Sequence, residues 1–142
     1  MSSVFVDSSV FVAFASEKDS NHARSLELVD EIRKWRFGRP LTSDYVFDEV
    51  VTTALARTGR GDVAVRAGKM ILGSPEESLS GLASLVRVEE RVFAEAWALF
   101  KSGRFRGLSF TDHTILALMK ERGIDMLVSF DTGFDGKVQR IG

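Results

Sequence analysis

Four short apolar, β-rich runs punctuate the chain at Val4-Phe5-Val6, Pro40-Leu41-Thr42, Leu85-Val86-Arg87-Val88 and Met126-Leu127-Val128-Ser129, with helical stretches between them. This alternation constrains the fold more than any other feature. Strands that alternate with helices build an α/β domain around a mainly parallel sheet. The segment Lys137 to Ile141 offers one more strand at an edge. At 142 residues the chain is expected to form one domain. Only Pro40 and Pro75 occur, and no linker or fixed-period repeat divides the sequence.

Hydrophobic period marks the helices. Val46, Phe47, Val50, Val51, Ala54 and Leu55 recur at i, i+1, i+4, i+5, i+8 and i+9, which predicts an amphipathic helix over Ser43 to Arg57. Thr42 or Ser43 is its cap and Gly59 its stop. Gly59-Arg60-Gly61 then turns into a second helix, Asp62 to Leu72, and Gly73 to Gly81 reads as an exposed loop. Val92, Phe93, Ala96, Leu99 and Phe100 mark another helix that stops near Gly103. The last runs from about Thr111 to Arg122, with Ser109 as cap and Gly123 beyond it.

An acid earns attention where its position is costly. Asp7 and Asp131 each follow an apolar run, at the carboxyl ends of two expected parallel strands, where open α/β sheets form their ligand crevice. A turn or capping role accounts for each of them equally well. Asp112 is more telling. Ile115, Leu116, Leu118 and Met119 define the inner face of its helix, and at about 100° per residue Asp112 lies within roughly 40–50° of that face's centre. An acid aimed at the core needs compensation from the helix terminus, from a cap, or from a cation shared with Asp7 and Asp131. Glu49 reads differently: the wheel places it on the polar side of its helix with Asp44 and Asp48, as a solvated residue.

Composition narrows the chemistry. There is no cysteine and only His22 and His113, so converging carboxylates imply a hard cation such as Mg²⁺ or Mn²⁺ rather than zinc. Such an ion activates water and neutralises charge on a phosphodiester, which makes hydrolysis of a nucleic-acid backbone the natural reaction. Nineteen basic against twenty acidic residues leave a net charge of −1, so a polyanion would have to be met by a local patch. Arg33, Lys34, Arg36 and Arg39 form one basic group, and Lys101, Arg104 and Arg106 another. Either is expected to be a solvated helix end unless it contacts RNA.

Taken together, the motifs resemble the PIN-domain family of metal-dependent ribonucleases, whose small members are often the toxin half of VapBC-type toxin–antitoxin pairs. Val4-Phe5-Val6-Asp7-Ser8-Ser9-Val10 resembles the opening strand and first acid. Thr42-Ser43 through Phe47-Asp48-Glu49-Val50 resembles the segment carrying the family's Glu, and it is the resemblance, not the wheel, that selects Glu49. Leu108-Ser109-Phe110-Thr111-Asp112 resembles the third acid with its preceding hydroxyl. Val128-Ser129-Phe130-Asp131-Thr132-Gly133-Phe134 resembles the fourth, with Asp135 as a substitute for Asp131. The resemblance implies one nuclease domain over residues 1–142, an α/β/α sandwich around four or five mainly parallel strands. It also implies endonucleolytic RNA cleavage, with Asp7, Glu49, Asp112 and Asp131 as catalytic and metal-binding residues for Mg²⁺ or Mn²⁺.

Other readings are weaker. Gly68-Lys69 is not a phosphate loop, because Gly61 is too far upstream and Met70 stands where Ser or Thr should be. Ser8 and Ser9 lack a nucleophile-elbow context and suit the orientation of a carboxylate. Both histidines are expected at the surface, His113 on the helix face opposite the core. Receiver or phosphatase folds would need a second acid beside Asp7 and a late lysine, and RNase H-type nucleases begin with an antiparallel meander. A non-catalytic scaffold that binds RNA or a partner stays open, as does an RNA-processing nuclease outside any toxin–antitoxin pair. The opening residues Met1 to Ala15 have no basic lead and are cut by Asp7-Ser8-Ser9, so neither signal peptide nor membrane span is expected, and the location is expected to be cytoplasmic. Apolar surface on the Ser43–Leu72 hairpin exceeds what one small sheet covers, leaving room for a homodimer partner or an antitoxin segment.

Overall fold

The computed structural model describes residues 2–142. Five strands form one sheet in the order β3-β2-β1-β4-β5: β1 (Ser3–Val6), β2 (Arg39–Ser43), β3 (Ser84–Val86), β4 (Met126–Val128) and β5 (Gln139–Ile141). Every pairing is parallel. Phe5 stands beside Leu41 on one side and Leu127 on the other. Val4, Phe5 and Val6 are all buried. A central parallel strand is covered on both faces, so its sequence reads as an unbroken apolar run rather than an alternation. β5 carries Gln139 and Arg140, and polar side chains suit a sheet edge.

Six helices complete the fold: α1 (Ser8–Ala15), α2 (His22–Arg33), α3 (Asp44–Thr58), α4 (Gly61–Leu72), α5 (Glu90–Lys101) and α6 (Phe110–Arg122). The chain steps from β1 to β2 to β3 in one direction, then returns past β1 to β4. Because crossovers are right-handed, α1 to α4 cover one face and α5 and α6 the other. The helix contacts agree: α1 packs on α2, α3 and α4, while α5 packs on α6. The strand order therefore reverses between β1 and β4, and such a switch point opens a crevice at the carboxyl ends of the strands.

Local signals set the helix ends. Ser43 accepts the Val46 N–H at 3.1 Å, and Gly59 ends α3 at φ 66°. Gly123 ends α6 at φ 67° in the same left-handed region, where a Cβ is costly. The stretch from Gly73 to Gly81 is not wholly irregular, since Ser74 and Leu79 exchange backbone hydrogen bonds of 2.8 and 3.0 Å around a 3₁₀ turn at Pro75–Glu77. Gly68 lies inside α4, where its missing Cβ lets Phe47 and Val51 of α3 approach closely. Among the described residues no helix is long and apolar enough to cross a membrane.

Candidate active site

Asp7 follows β1 and is the N-cap of α1. Its Oδ1 accepts the Ser8 N–H at 2.8 Å. Its Oδ2 accepts the Ser129 hydroxyl at 2.6 Å and the Ser9 hydroxyl at 3.1 Å. Both serines are themselves fixed by the turn after β4: Ser129 Oγ accepts the Asp131 N–H at 3.0 Å, and Ser9 Oγ accepts the Phe130 N–H at 3.0 Å. The loops leaving the two strands at the switch point are thus tied together through one carboxylate. Asp7 is 3% exposed. Burial pushes its carboxyl up to about 6; the Ser129 hydrogen bond opposes that rise, and the nearby Asp112 charge adds to it.

Asp112 forms a capping box at the start of α6, with its N–H donated to Ser109 Oγ at 3.0 Å and its Oδ2 accepting the Ser109 N–H at 2.9 Å. It is buried as the wheel indicates, and it caps as well; the two roles are compatible because only Oδ2 is engaged in hydrogen bonds among the described residues. Burial raises its carboxyl above the usual carboxylate range. The Ser109 hydrogen bonds oppose this, while the Glu49 and Asp131 charges add to it.

Glu49 corrects the wheel. It is half-buried, and Ser8 Oγ donates to its Oε1 across 41 positions of sequence. The polar side of α3 faces the amino end of α1 rather than open solvent, so a residue outside the core stripe still points into the site. Burial again raises its carboxyl most, with Asp7, Asp48 and Asp131 contributing repulsion. Asp131 is exposed and turns back to accept the Gly133 N–H at 2.8 Å. Asp135, the substitute for it, instead binds Arg140 at 2.6 Å and is occupied there.

Asp7, Glu49, Asp112 and Asp131 are therefore brought within electrostatic reach of one another, and none of them takes part in an ion pair among the described residues. Hard oxygen donors and uncompensated negative charge fit a divalent cation. The spacing is looser than the charge: among the described residues no three acidic or histidine side chains stand close enough to form a ligand set as they are. Beside the acids runs an open cleft of about 510 Å³, bordered by Ser8, Ser9, Glu49, Phe130 and Asp131 and extending to Arg57.

His113 also departs from expectation. It is 2% exposed, not on a solvent face. Its Nδ1 is 2.7 Å from the Ser109 carbonyl oxygen, and its ring centre lies 5.2 Å from that of Phe100 and 6.3 Å from that of Phe105. α6 packs on α5, with Phe105 against His113, and also enters the core through Ile115, Leu118 and Met119, so its second face is interior too. His22 is half-buried, with Nδ1 2.8 Å from the Ala13 carbonyl oxygen. Of the basic groups, Arg33 to Arg39 lies at the opposite end of the sheet, since Arg39 opens β2 and its N–H bonds Ser2. The other borders an aromatic face: Phe93, Trp97 and Phe100 are partly exposed on α5, Lys101 Nζ sits 5.6 Å over Trp97, and Arg104 sits 5.1 Å over Phe105.

A PIN domain profile matches residues 4–137, nearly the whole chain. The chain belongs to the PIN domain family. The VapC ribonuclease of Archaeoglobus fulgidus is 25% identical over 130 residues, covering 91% of this chain and 77% of that protein. The crystal structure of Mycobacterium tuberculosis VapC20, described as a sarcin–ricin loop cleaving toxin, superposes with a TM-score of 0.77 at 25% identity over 94% of each chain. VapBC2 from Rickettsia felis, bound to a promoter DNA fragment, shares the fold at a TM-score of 0.66 and 10% identity, over 99% of each chain. This PIN domain is thus VapC-like in sequence and architecture.

Proposed function

We propose that this PIN domain is an endoribonuclease that uses Mg²⁺ or Mn²⁺ bound by Asp7, Asp112, Glu49 and Asp131, acting as the toxin of a toxin–antitoxin pair in the cytoplasm. The observation that carries the reading is Asp7: a fully buried carboxylate fixed by three donors, surrounded by three more acids and no paired base. A structural acid would be neutralised by an arginine or lysine; an acid kept unpaired among acids is suited to a cation. When bound, the ion would lower the pKa of a water and stabilise charge on the phosphodiester. The chain's own part is orientation. Ser9 and Ser129 hold Asp7 in one rotamer, the Ser109 cap holds Asp112, and Ser8 tethers Glu49 at the mouth of the cleft.

The activities named for VapC of Archaeoglobus fulgidus and for VapC20 support RNA as substrate. The Phe47, Val51, Val65, Gly68 and Leu72 hollow on the α3–α4 hairpin, about 320 Å³, suits an antitoxin segment or a second copy. One observation favours a second reading, a scaffold that binds RNA without cutting it: the acids do not yet form a ligand set. Labelled structured and single-stranded RNAs incubated with Mn²⁺, Mg²⁺ or EDTA, beside Asp112→Asn, separate the two. Metal-dependent cutting lost in the variant is expected. Retained RNA binding with no cutting by folded, antitoxin-free protein selects the scaffold.

A further inference from the structure

The cleft does not end at the acids. Glu49, Thr53 and Arg57 recur at i, i+4 and i+8, so one stripe of α3 walls it from end to end. Eight residues at 1.5 Å each put Arg57 roughly 12 Å from Glu49 along the helix. Arg57 is the only cation among the lining residues, which otherwise include Asp19, Glu49 and Asp131. Its guanidinium is anchored: Nη1 donates to Asp19 Oδ2 at 3.3 Å. Asp19 is itself held, because its Oδ1 accepts the Asn21 N–H at 2.8 Å and its carbonyl accepts the His22 N–H at 3.0 Å. Two arginine forks away from the cleft are filled: Arg60 gives two N–H groups to Asp62, and Arg140 gives two to Asp135. Arg57 makes one long contact and stays 61% exposed.

We propose that Arg57 is a positioning residue that grips a backbone phosphate of the RNA strand, so that the strand lies along α3 between Arg57 and the acids. A planar fork held at one corner presents its remaining donors in the arrangement a phosphate accepts, and part of the cost of ordering the side chain is met before binding. The inference rests on the nuclease reading and adds the direction in which the substrate lies.

The test is binding of a labelled single-stranded oligoribonucleotide by Asp112→Asn protein across a salt series, with and without Arg57→Ala, together with steady-state cleavage by the Arg57 single variants. Each phosphate contact on a single strand contributes about 0.7 to the slope of log K against log salt. Arg57→Ala is expected to reduce the slope by about 0.7, to weaken binding about tenfold and to raise KM with kcat nearly unchanged. Arg57→Lys should recover the slope but only part of the affinity. Asp19→Asn loosens the tether and leaves the cation, so it should keep the slope; if it reproduces the Arg57→Ala loss, Arg57 only braces the α1–α2 turn and the proposal falls. An unchanged slope and KM in Arg57→Ala, with an unaltered melting temperature, overturns it too. Cleavage by the wild type alongside that result would leave the nuclease standing, whereas no RNA binding or cutting by the wild type would remove both.

Discussion

Replacing Asp7 by Asn should stabilise the metal-free protein at neutral pH, although it removes the best-connected residue of the site. Asp7 rises from an ordinary 3.8 to about 6 in the folded protein. At 1.36 kcal/mol per unit, that displacement corresponds to about 3 kcal/mol. The folded form holds its proton more tightly than the unfolded chain. This contribution is therefore fully present below pH 3.8, is lost as pH climbs through about 6, and is then gone. Asn carries no such charge. It does lose acceptance of the Ser9 and Ser129 hydroxyls, at about 1 kcal/mol each, but that loss does not vary with pH. The difference between wild type and Asp7→Asn should thus swing by about 2.4 kcal/mol between pH 4 and pH 8, with Asn favoured at the alkaline end. Urea unfolding in EDTA at each pH measures it directly. Millimolar Mg²⁺ or Mn²⁺ should then raise the melting temperature of wild type but not of Asp7→Asn, narrowing or reversing the order. A pH-independent difference would refute the claim that Asp7 is a buried, uncompensated acid.

Three further outcomes are expected. Ser129→Ala removes the strongest opposition to Asp7's rise, so its cleavage rate should fall about tenfold near pH 7 and recover toward pH 8–9; a loss equal at every pH would point to misfolding instead. His113→Ala should cost about 2–3 kcal/mol in urea unfolding, because it empties a buried site between Phe100 and Phe105; a surface histidine would show almost none. Asp135→Asn should leave cleavage intact while Asp131→Asn reduces it, since Asp135 is already engaged by Arg140; the reverse pattern would move the fourth acid to Asp135.

Much of this architecture is legible in the sequence. Ser43, Gly59, Ser109 and Gly123 act locally on their own helix ends, so their chemistry shows in sequence. Asp112 is visible because α6's inner face is regular enough for an acid to interrupt it. Glu49 is not, because a helix period reports only how that helix meets its own core, and the group Glu49 faces, Ser8, lies on another helix. His113 fails for a related reason: α6 is interior on two sides, and a wheel assumes one. Ser129 carries no signal of its role within its motif, since a hydroxyl at the end of an apolar strand is ordinary until Asp7 is placed against it. α1 is buried over most of its surface and so has no polar face to create a period.

The separation between Asp7 and Ser129 is 122 residues. β1 lies in the middle of the sheet, yet its partner β4 is made only after β2, β3 and all six helices. At about 5–20 residues per second of synthesis, Asp7 waits roughly 6 to 25 seconds before the hydroxyl that orients it exists. Until then its carboxylate lacks its full burial, and although Glu49 is made early, Asp112 and Asp131 come late. A chain still emerging from a ribosome therefore carries its first acid without the completed site, with the delay written into the order of its strands.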